Sequence, residues 1–305
     1  MPFLSVYGHI IVDTIIDAEK VPGNEEFVGI EGFHMRYGGT GANIAMGAAK
    51  LGTPVALISF VGSDFPEDYW KKMEHAGIDL SGVVKKEGKS PRVWIINTPK
   101  GQRGLVYQGV MGEMEGYELI YEPAKDSEWV HFSTGRPKYY LKIGKELRNM
   151  GKKMGFDPSQ EIHYVYSKEY LKDMLSLSDI FFCNESELSK AVEILGLKNA
   201  EELLDYVPVV VNTLGEKGSR IISEKGVEEI RAIEPLRFVD PTGAGDSYRA
   251  GFYTGLYRGL DYYESAIVAS AVSSFVIENP GAQDYLPTLD MVMERIKKSG
   301  YEVSL

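Results

Sequence analysis

A single cysteine, Cys183, in a chain of 305 residues leaves no partner for an intrachain disulfide and no set of thiolates for a zinc site. Such a chain suits a reducing compartment. Histidine is nearly as scarce. His9, His34, His75, His131 and His163 lie scattered, without the spacing of metal ligands. No stretch reaches the ~18 uninterrupted apolar residues of a membrane span. The N-terminus opens on the apolar run Phe3 to Tyr7, with no basic segment and long apolar region of a signal peptide. The expectation is a cytoplasmic protein with no membrane partner. Positive charge is also in deficit: 33 Lys and Arg face 44 Asp and Glu, a net charge of −11. That balance argues against nucleic acid as a partner, because phosphate backbones are bound by basic surfaces. An anionic substrate must then be met by a local basic pocket.

What remains is an ordinary globular composition, 44% hydrophobic and 25% charged. Short β-like runs alternate with helical patterns, the signature of an α/β fold: a three-layer sandwich with a mostly parallel central sheet. Strands are predicted at Leu4 to Tyr7, Pro54 to Val61, Glu128 to Ser133, Lys153 to Phe156, Ile180 to Cys183 and Pro208 to Asn212. Helices are predicted at 41–51, 69–75, 138–150, 167–176, 185–195, 199–206, 247–257, 262–276 and 289–298. Two segments, about 10–35 and 90–111, break the rhythm with strands and no helix: Ile10 to Ile16, Phe27 to Phe33, Arg92 to Asn97 and Gly104 to Val110. They are expected to form a small antiparallel β-lid on a single domain spanning 1–305. Such a lid would close over the carboxyl ends of the main sheet, where open α/β sheets bind ligands. Exposed lid edges are free to pair between subunits, so a homodimer is an expectation.

The most informative segment is Asp240-Pro241-Thr242-Gly243-Ala244-Gly245-Asp246, between an apolar run (Leu236, Phe238, Val239) and a helical pattern from Ser247. Small residues at Gly243, Ala244 and Gly245 let successive backbone N–H groups converge on an anion, helped by the helix dipole. Asp246 places a carboxylate beside that cradle, positioned to take a proton from an attacking hydroxyl. A cradle next to a base fits phosphoryl transfer, in which charge stabilisation and positioning do most of the work. Nearer the N-terminus, Asp13 lies on a strand entering the lid. Gly38-Gly39-Thr40-Gly41-Ala42-Asn43 then opens a helix with glycines that allow close approach and an Asn that can bond sugar hydroxyls.

Met35 to Gly52 followed by Asp240 to Asp246 resembles the two signatures of the ribokinase-like (PfkB) carbohydrate and nucleoside kinase family, and the resemblance extends over almost the whole chain. Asn184-Glu185-Ser186-Glu187 matches the family's Asn-x-x-Glu element, and Thr213-Leu214-Gly215-Glu216-Lys217-Gly218 its nucleotide-contacting turn. The resemblance implies a ribokinase-like fold and a kinase using Mg²⁺ and a nucleotide donor, ATP by default and ADP as the alternative. It implies Asp246 as base, with the amides of Gly243, Ala244 and Gly245 around the transferring phosphoryl group. Asp13, Gly39 and Asn43 would hold the acceptor. Asn184 and Glu187 would act near the phosphates through water and Mg²⁺, and Thr213, Gly215 and Gly218 would line the nucleotide site. A monovalent cation such as K⁺ would sit near Asp240, Thr242 and the backbone of 279–283. Apart from any role, Asn184 and Glu187 also have the spacing of a helix capping box, and Cys183 reads as a buried strand residue.

Two acceptor classes stay open. One is a ribose-type sugar or a nucleoside, whose base Phe33 and Tyr107 of the lid could cover. The other is a phosphorylated sugar, a pentose 1-phosphate or hexose monophosphate, held by Arg136 and Lys138 at the end of a predicted strand. A sugar- or nucleotide-binding regulator without turnover is the non-enzymatic alternative. Against it stands Asp246, which binding alone does not require.

Overall fold

A computed structural model describes residues 1–303 of the chain. Its main sheet has nine strands in the order β13-β12-β11-β10-β9-β8-β1-β4-β5. From the middle outwards these are β1 (Leu4–Tyr7), β4 (Val55–Gly62) and β5 (Asp79–Lys86) on one side. On the other are β8 (Trp129–Phe132), β9 (Lys153–Phe156), β10 (Ile180–Asn184), β11 (Val209–Thr213), β12 (Ser219–Ser223) and β13 (Gly226–Ile230). All pairs from β5 across to β11 are parallel, and the last two pairs are antiparallel. The three-layer α/β fold with a mostly parallel sheet is therefore present. The central strands are buried on both faces, which is why they read as continuous apolar runs.

The two faces carry different helices. Leu4, Val6 and Leu57 join a core with α1 (Thr40–Lys50), α2 (Glu67–His75), α6 (Ala244–Tyr257), α7 (Tyr262–Val276) and α8 (Leu289–Lys298). Tyr7, Ile58 and Phe60 face the other way, towards α3 (Pro137–Asn149), α4 (Lys168–Leu177) and α5 (Glu185–Leu195). The strand order reverses between β1, which continues to β4 and β5, and β8, which continues to β9. Such a reversal opens a crevice at the carboxyl ends of the strands. One close contact shapes it. A Cβ on Gly47 of α1 would stand 2.7 Å from the Ala250 Cβ of α6, so these two helices touch where no larger side chain fits.

The second sheet, in the order β3-β2-β6-β7, is built from two separate segments: β2 (Ile11–Ala18) with β3 (Ile30–Gly38), and β6 (Arg92–Thr98) with β7 (Gly101–Tyr107). Each hairpin is antiparallel, but β2 and β6 pair parallel, so the sheet is mixed and not purely antiparallel. The pattern misplaces its strand ends. β3 starts at Ile30, beyond the fully exposed Phe27, and β7 stops at Tyr107, with a 3₁₀ helix over Gly109–Gly116. The reason is physical: β7 is exposed along its whole length, so no buried face imposes alternation. The helix expected at 199–206 is only a 3₁₀ turn, Glu201–Asp205, while β5, β12 and β13 escape the pattern altogether.

Candidate active site

α6 begins where the chain turns sharply. Gly243 has φ +80°, and a Cβ there would lie 2.3 Å from the Ala282 Cβ, so only glycine fits. The Ala244 amide closes a turn onto the Pro241 carbonyl at 3.1 Å. Gly243, Gly245 and Asp246 donate their amides to no other described residue. The open donors at this helix start are thus Gly243, Gly245 and Asp246, with Ala244 committed to the turn. Their positions at the positive end of a 14-residue helix favour an anion.

Asp246 meets α1 directly. Its Oδ2 accepts a 2.7 Å hydrogen bond from Asn43 Nδ2, while Oδ1 has no donor among the described residues. Asn43 Oδ1 in turn accepts from Gln283 Nε2 at 2.8 Å. Asn43 is therefore engaged at both ends with protein, and its first contact is the carboxylate. Gly39 caps the same helix with φ +97°, packed so closely on residue 9 that a Cβ would be 2.5 Å from the His9 carbonyl oxygen. Next to it, Gly38 leaves room for Asp13 of β2, whose Oδ2 would be 2.3 Å from a Cβ. Asp13, Gly39, Asn43 and Asp246 so form one continuous wall.

Burial dominates the electrostatics. It pushes the Asp246 carboxyl up to about 7, against the Asn43 hydrogen bond, and the Asp13 carboxyl up to about 6. Behind Asp246 lies a charge cluster that the sequence reading did not single out. Arg249, one turn along α6, stands 2.8 Å from Asp157 at the end of β9, and both are 3% exposed. Arg249 Nη1 also donates to the Gly245 carbonyl at 3.1 Å, tying the cradle to the sheet. Glu187 of α5 faces the same charges and is raised to about 7, first by burial and then by Asp157, with Arg249 opposing. Two signals were available: an Asp at the carboxyl end of a parallel strand, and an Arg within the otherwise uncharged run Ser247 to Thr254. The Gln283 side chain carried no comparable signal.

On the nucleotide side, Asn184 and Glu187 form a complete capping box. Asn184 Oδ1 accepts from the Glu187 amide at 2.9 Å, and Glu187 Oε2 accepts from the Asn184 amide at 2.8 Å. Thr213 ends β11 beside Asn184, with its hydroxyl donating to the Cys183 carbonyl at 3.4 Å. Cys183 itself is fully buried and its thiol pushed well up. Gly215 and Gly218 shape the following turn, closed by the Leu214 amide on the Gly218 carbonyl at 2.8 Å. Asp240 accepts from the amides of Thr242 and Gly281, both at 2.9 Å, and so joins the α6 entry to the loop after α7.

The two cations proposed for a phosphate differ. Lys138 is exposed and lies 3.7 Å from Glu115. Arg136, half-buried at the start of α3, has no carboxylate partner among the described residues. Two residues before it, Thr134 bonds Thr40 of α1 through its hydroxyl at 2.6 Å. Among the described residues no cluster of His, Cys, Asp and Glu has metal-binding geometry, and no helix is long and apolar enough to cross a membrane.

Comparison with known proteins gives concordant matches. The model of the pfkB family carbohydrate kinases matches residues 1–289. A nucleoside kinase of Methanocaldococcus jannaschii is 34% identical over 300 residues, covering 98% of either chain. A cytidine kinase of Thermococcus kodakarensis is 29% identical over 84% of this chain and 89% of its own. The crystal structure of the M. jannaschii nucleoside kinase superposes with a TM-score of 0.88 at 32% identity, covering 98% of this chain and 99% of that one.

Proposed function

The chain belongs to the pfkB family of carbohydrate kinases and is a sugar or nucleoside kinase, and from that premise we propose that it phosphorylates a nucleoside hydroxyl with ATP, using Asp246 as the base. The observation that carries this reading is the half-engaged carboxylate. Asp246 is anchored through Oδ2 and keeps Oδ1 open, beside three unpaired amides at a helix start. With its carboxyl raised to about 7, it is matched to proton transfer near neutral pH. The acceptor lies along Asp13 and Gly39, its hydroxyl directed at Oδ1. As the phosphoryl group passes to it, the amides of Gly243, Gly245 and Asp246 stabilise the charge and Asp246 takes the proton. The second sheet acts as a lid that excludes water.

The nucleotide runs along Asn184, Thr213, Gly215 and Gly218. Glu187 suits Mg²⁺ through water: one of its oxygens is held by the Asn184 amide and the other has no donor among the described residues. That indirect mode agrees with a metal that keeps several waters and takes few carboxylates. When bound, Mg²⁺ supplies charge neutralisation on the donor phosphates. A monovalent cation would take Asp240 and Thr242, with Asp240 already ordering both loops.

Nucleoside is preferred over sugar phosphate because Lys138 is drawn to Glu115, leaving Arg136 alone. Nucleoside kinases among the relatives support the same choice. The unpaired Arg136 is what keeps the second reading in play. The test is nucleotide consumption with ATP or ADP against nucleosides, ribose and sugar phosphates, on wild type and Arg136→Ala. Turnover of nucleosides, unaffected by Arg136→Ala, is expected. Turnover confined to phosphorylated sugars, with KM rising steeply in Arg136→Ala, refutes the proposal.

A further inference from the structure

The hydrogen bond that anchors Asp246 is the last link of a chain whose direction is set on a backbone carbonyl. Tyr69 of α2 donates its hydroxyl proton to the Gly38 carbonyl at 2.8 Å. A carbonyl accepts and never donates, so the phenolic oxygen is left only as an acceptor. Gln283 Nε2 donates to that oxygen at 2.8 Å, and to Asn43 Oδ1 at the same distance. Asn43 is then obliged to turn Nδ2 towards Asp246, 2.7 Å away. Turning either amide over would set two acceptors face to face. The arrangement leaves Gln283 Oε1 buried without a donor among the described residues. A freely rotating amide would avoid that penalty. The members are closed off from water: Tyr69 is 0%, Gln283 5% and Asn43 8% exposed. They come from different parts of the chain, α2, the loop after α7, and α1, meeting at the end of β3.

We propose that Tyr69 and Gln283 are positioning residues of the phosphoryl-transfer site: together they fix the sense in which Asn43 presents its amide, so that Asp246 always receives an N–H on Oδ2 and keeps Oδ1 free for the acceptor. The proposal rests on Asp246 being the base, and the residues it adds act through Asn43. The other titratable groups facing Asp246 are Arg249, Asp157 and Glu187, and those facing Tyr69 are Asp13 and the neutral Tyr37. None of them is altered by the substitutions below, so a change in the titration of Asp246 reports the chain itself.

The experiment uses the full chain as Tyr69→Phe, which keeps the ring stacked on Tyr37 at 4.2 Å, and as Gln283→Leu, which keeps the volume. Three quantities are measured: kcat and KM for nucleoside and ATP, the pH dependence of kcat/KM, and the titration of the Asp246 carboxyl carbon by NMR. Loss of an oriented donor raises the proton affinity of the carboxylate. The expected result in both variants is a kcat lowered by roughly 5- to 20-fold, KM values within about threefold of wild type, and an acid limb and NMR titration moved up by about half to one pH unit. An unmoved acid limb and titration in both variants overturn the proposal, whatever happens to the melting temperature. The base assignment fails separately, on near-normal turnover in Asp246→Asn. In that event the NMR titration still decides whether the chain orients the carboxylate.

Discussion

Replacing Arg249 by Met removes the cation from a buried group of acids while keeping most of the side-chain volume. The Arg249–Asp157 side chains are only 4% and 5% exposed, against 55% and 53% for the surface pair Lys153–Glu128. Exposed pairs are worth about 0–1 kcal/mol, whereas breaking a buried pair by removing one partner costs about 3–5 kcal/mol, because the other charge stays buried and unpaired. After the substitution, Asp157 would retain the Ser159 amide at 2.9 Å but no counter-charge. The Gly245 carbonyl would lose its side-chain donor, loosening the cradle. Urea unfolding at pH 7.5 should show a loss near 3 kcal/mol or more for Arg249→Met, and under ~1 kcal/mol for Lys153→Met. The double variant Arg249→Met/Asp157→Asn should recover part of the loss, since no orphan carboxylate remains. In Arg249→Met the Asp246 carboxyl loses a cation and rises further, so the acid limb of kcat/KM should move to higher pH. A loss below ~1 kcal/mol, or a double variant costing the full sum of the singles, would refute the buried-pair reasoning.

Gly243→Ala forces a non-glycine residue to φ +80° and drives a methyl against Ala282. The left-handed backbone alone costs about 1–2 kcal/mol, and the displaced cradle should lower kcat more than it weakens acceptor binding, as steady-state kinetics beside calorimetry would show. Stability should depend on pH through Asp13. Because its folded value, about 6, lies above the unfolded 3.8, the native state holds a proton that the unfolded chain has released, and stability falls as pH rises through that window. Asp13→Asn should therefore gain stability relative to wild type at pH 7.5, by at most about 3 kcal/mol, and lose that advantage near pH 3.5. Equal differences at both pH values would contradict the burial argument.

The legible parts of this protein are those where local chemistry and position agree. Central strands such as Val55–Gly62 and Ile180–Asn184 stand out because burial on both faces leaves them almost wholly apolar. The turn at Gly243 stands out because the required φ admits little but glycine. Asn184 and Glu187 announce a capped helix by spacing alone, and the box is complete. β7 and β13 are less legible because exposed edge strands lack a face that enforces alternation. In the site, Asp246 and Asn43 are readable, but the reason they act as a unit is not. It depends on Gly47 fitting against Ala250, and on Gln283 arriving from 240 residues away in sequence. Arg249 is the instructive miss: a charge inside an apolar helix run has to be answered by a buried acid, and only the fold shows that the acid is Asp157.

Single-turnover phosphoryl transfer by Asp246→Asn, beside calorimetric binding of nucleoside and ATP, bears most directly on the kinase mechanism. Binding of both ligands should stay within a few-fold of wild type while the transfer rate drops by about 10²- to 10⁴-fold, the usual contribution of a general base. Transfer at a near wild-type rate by the asparagine variant would contradict the account.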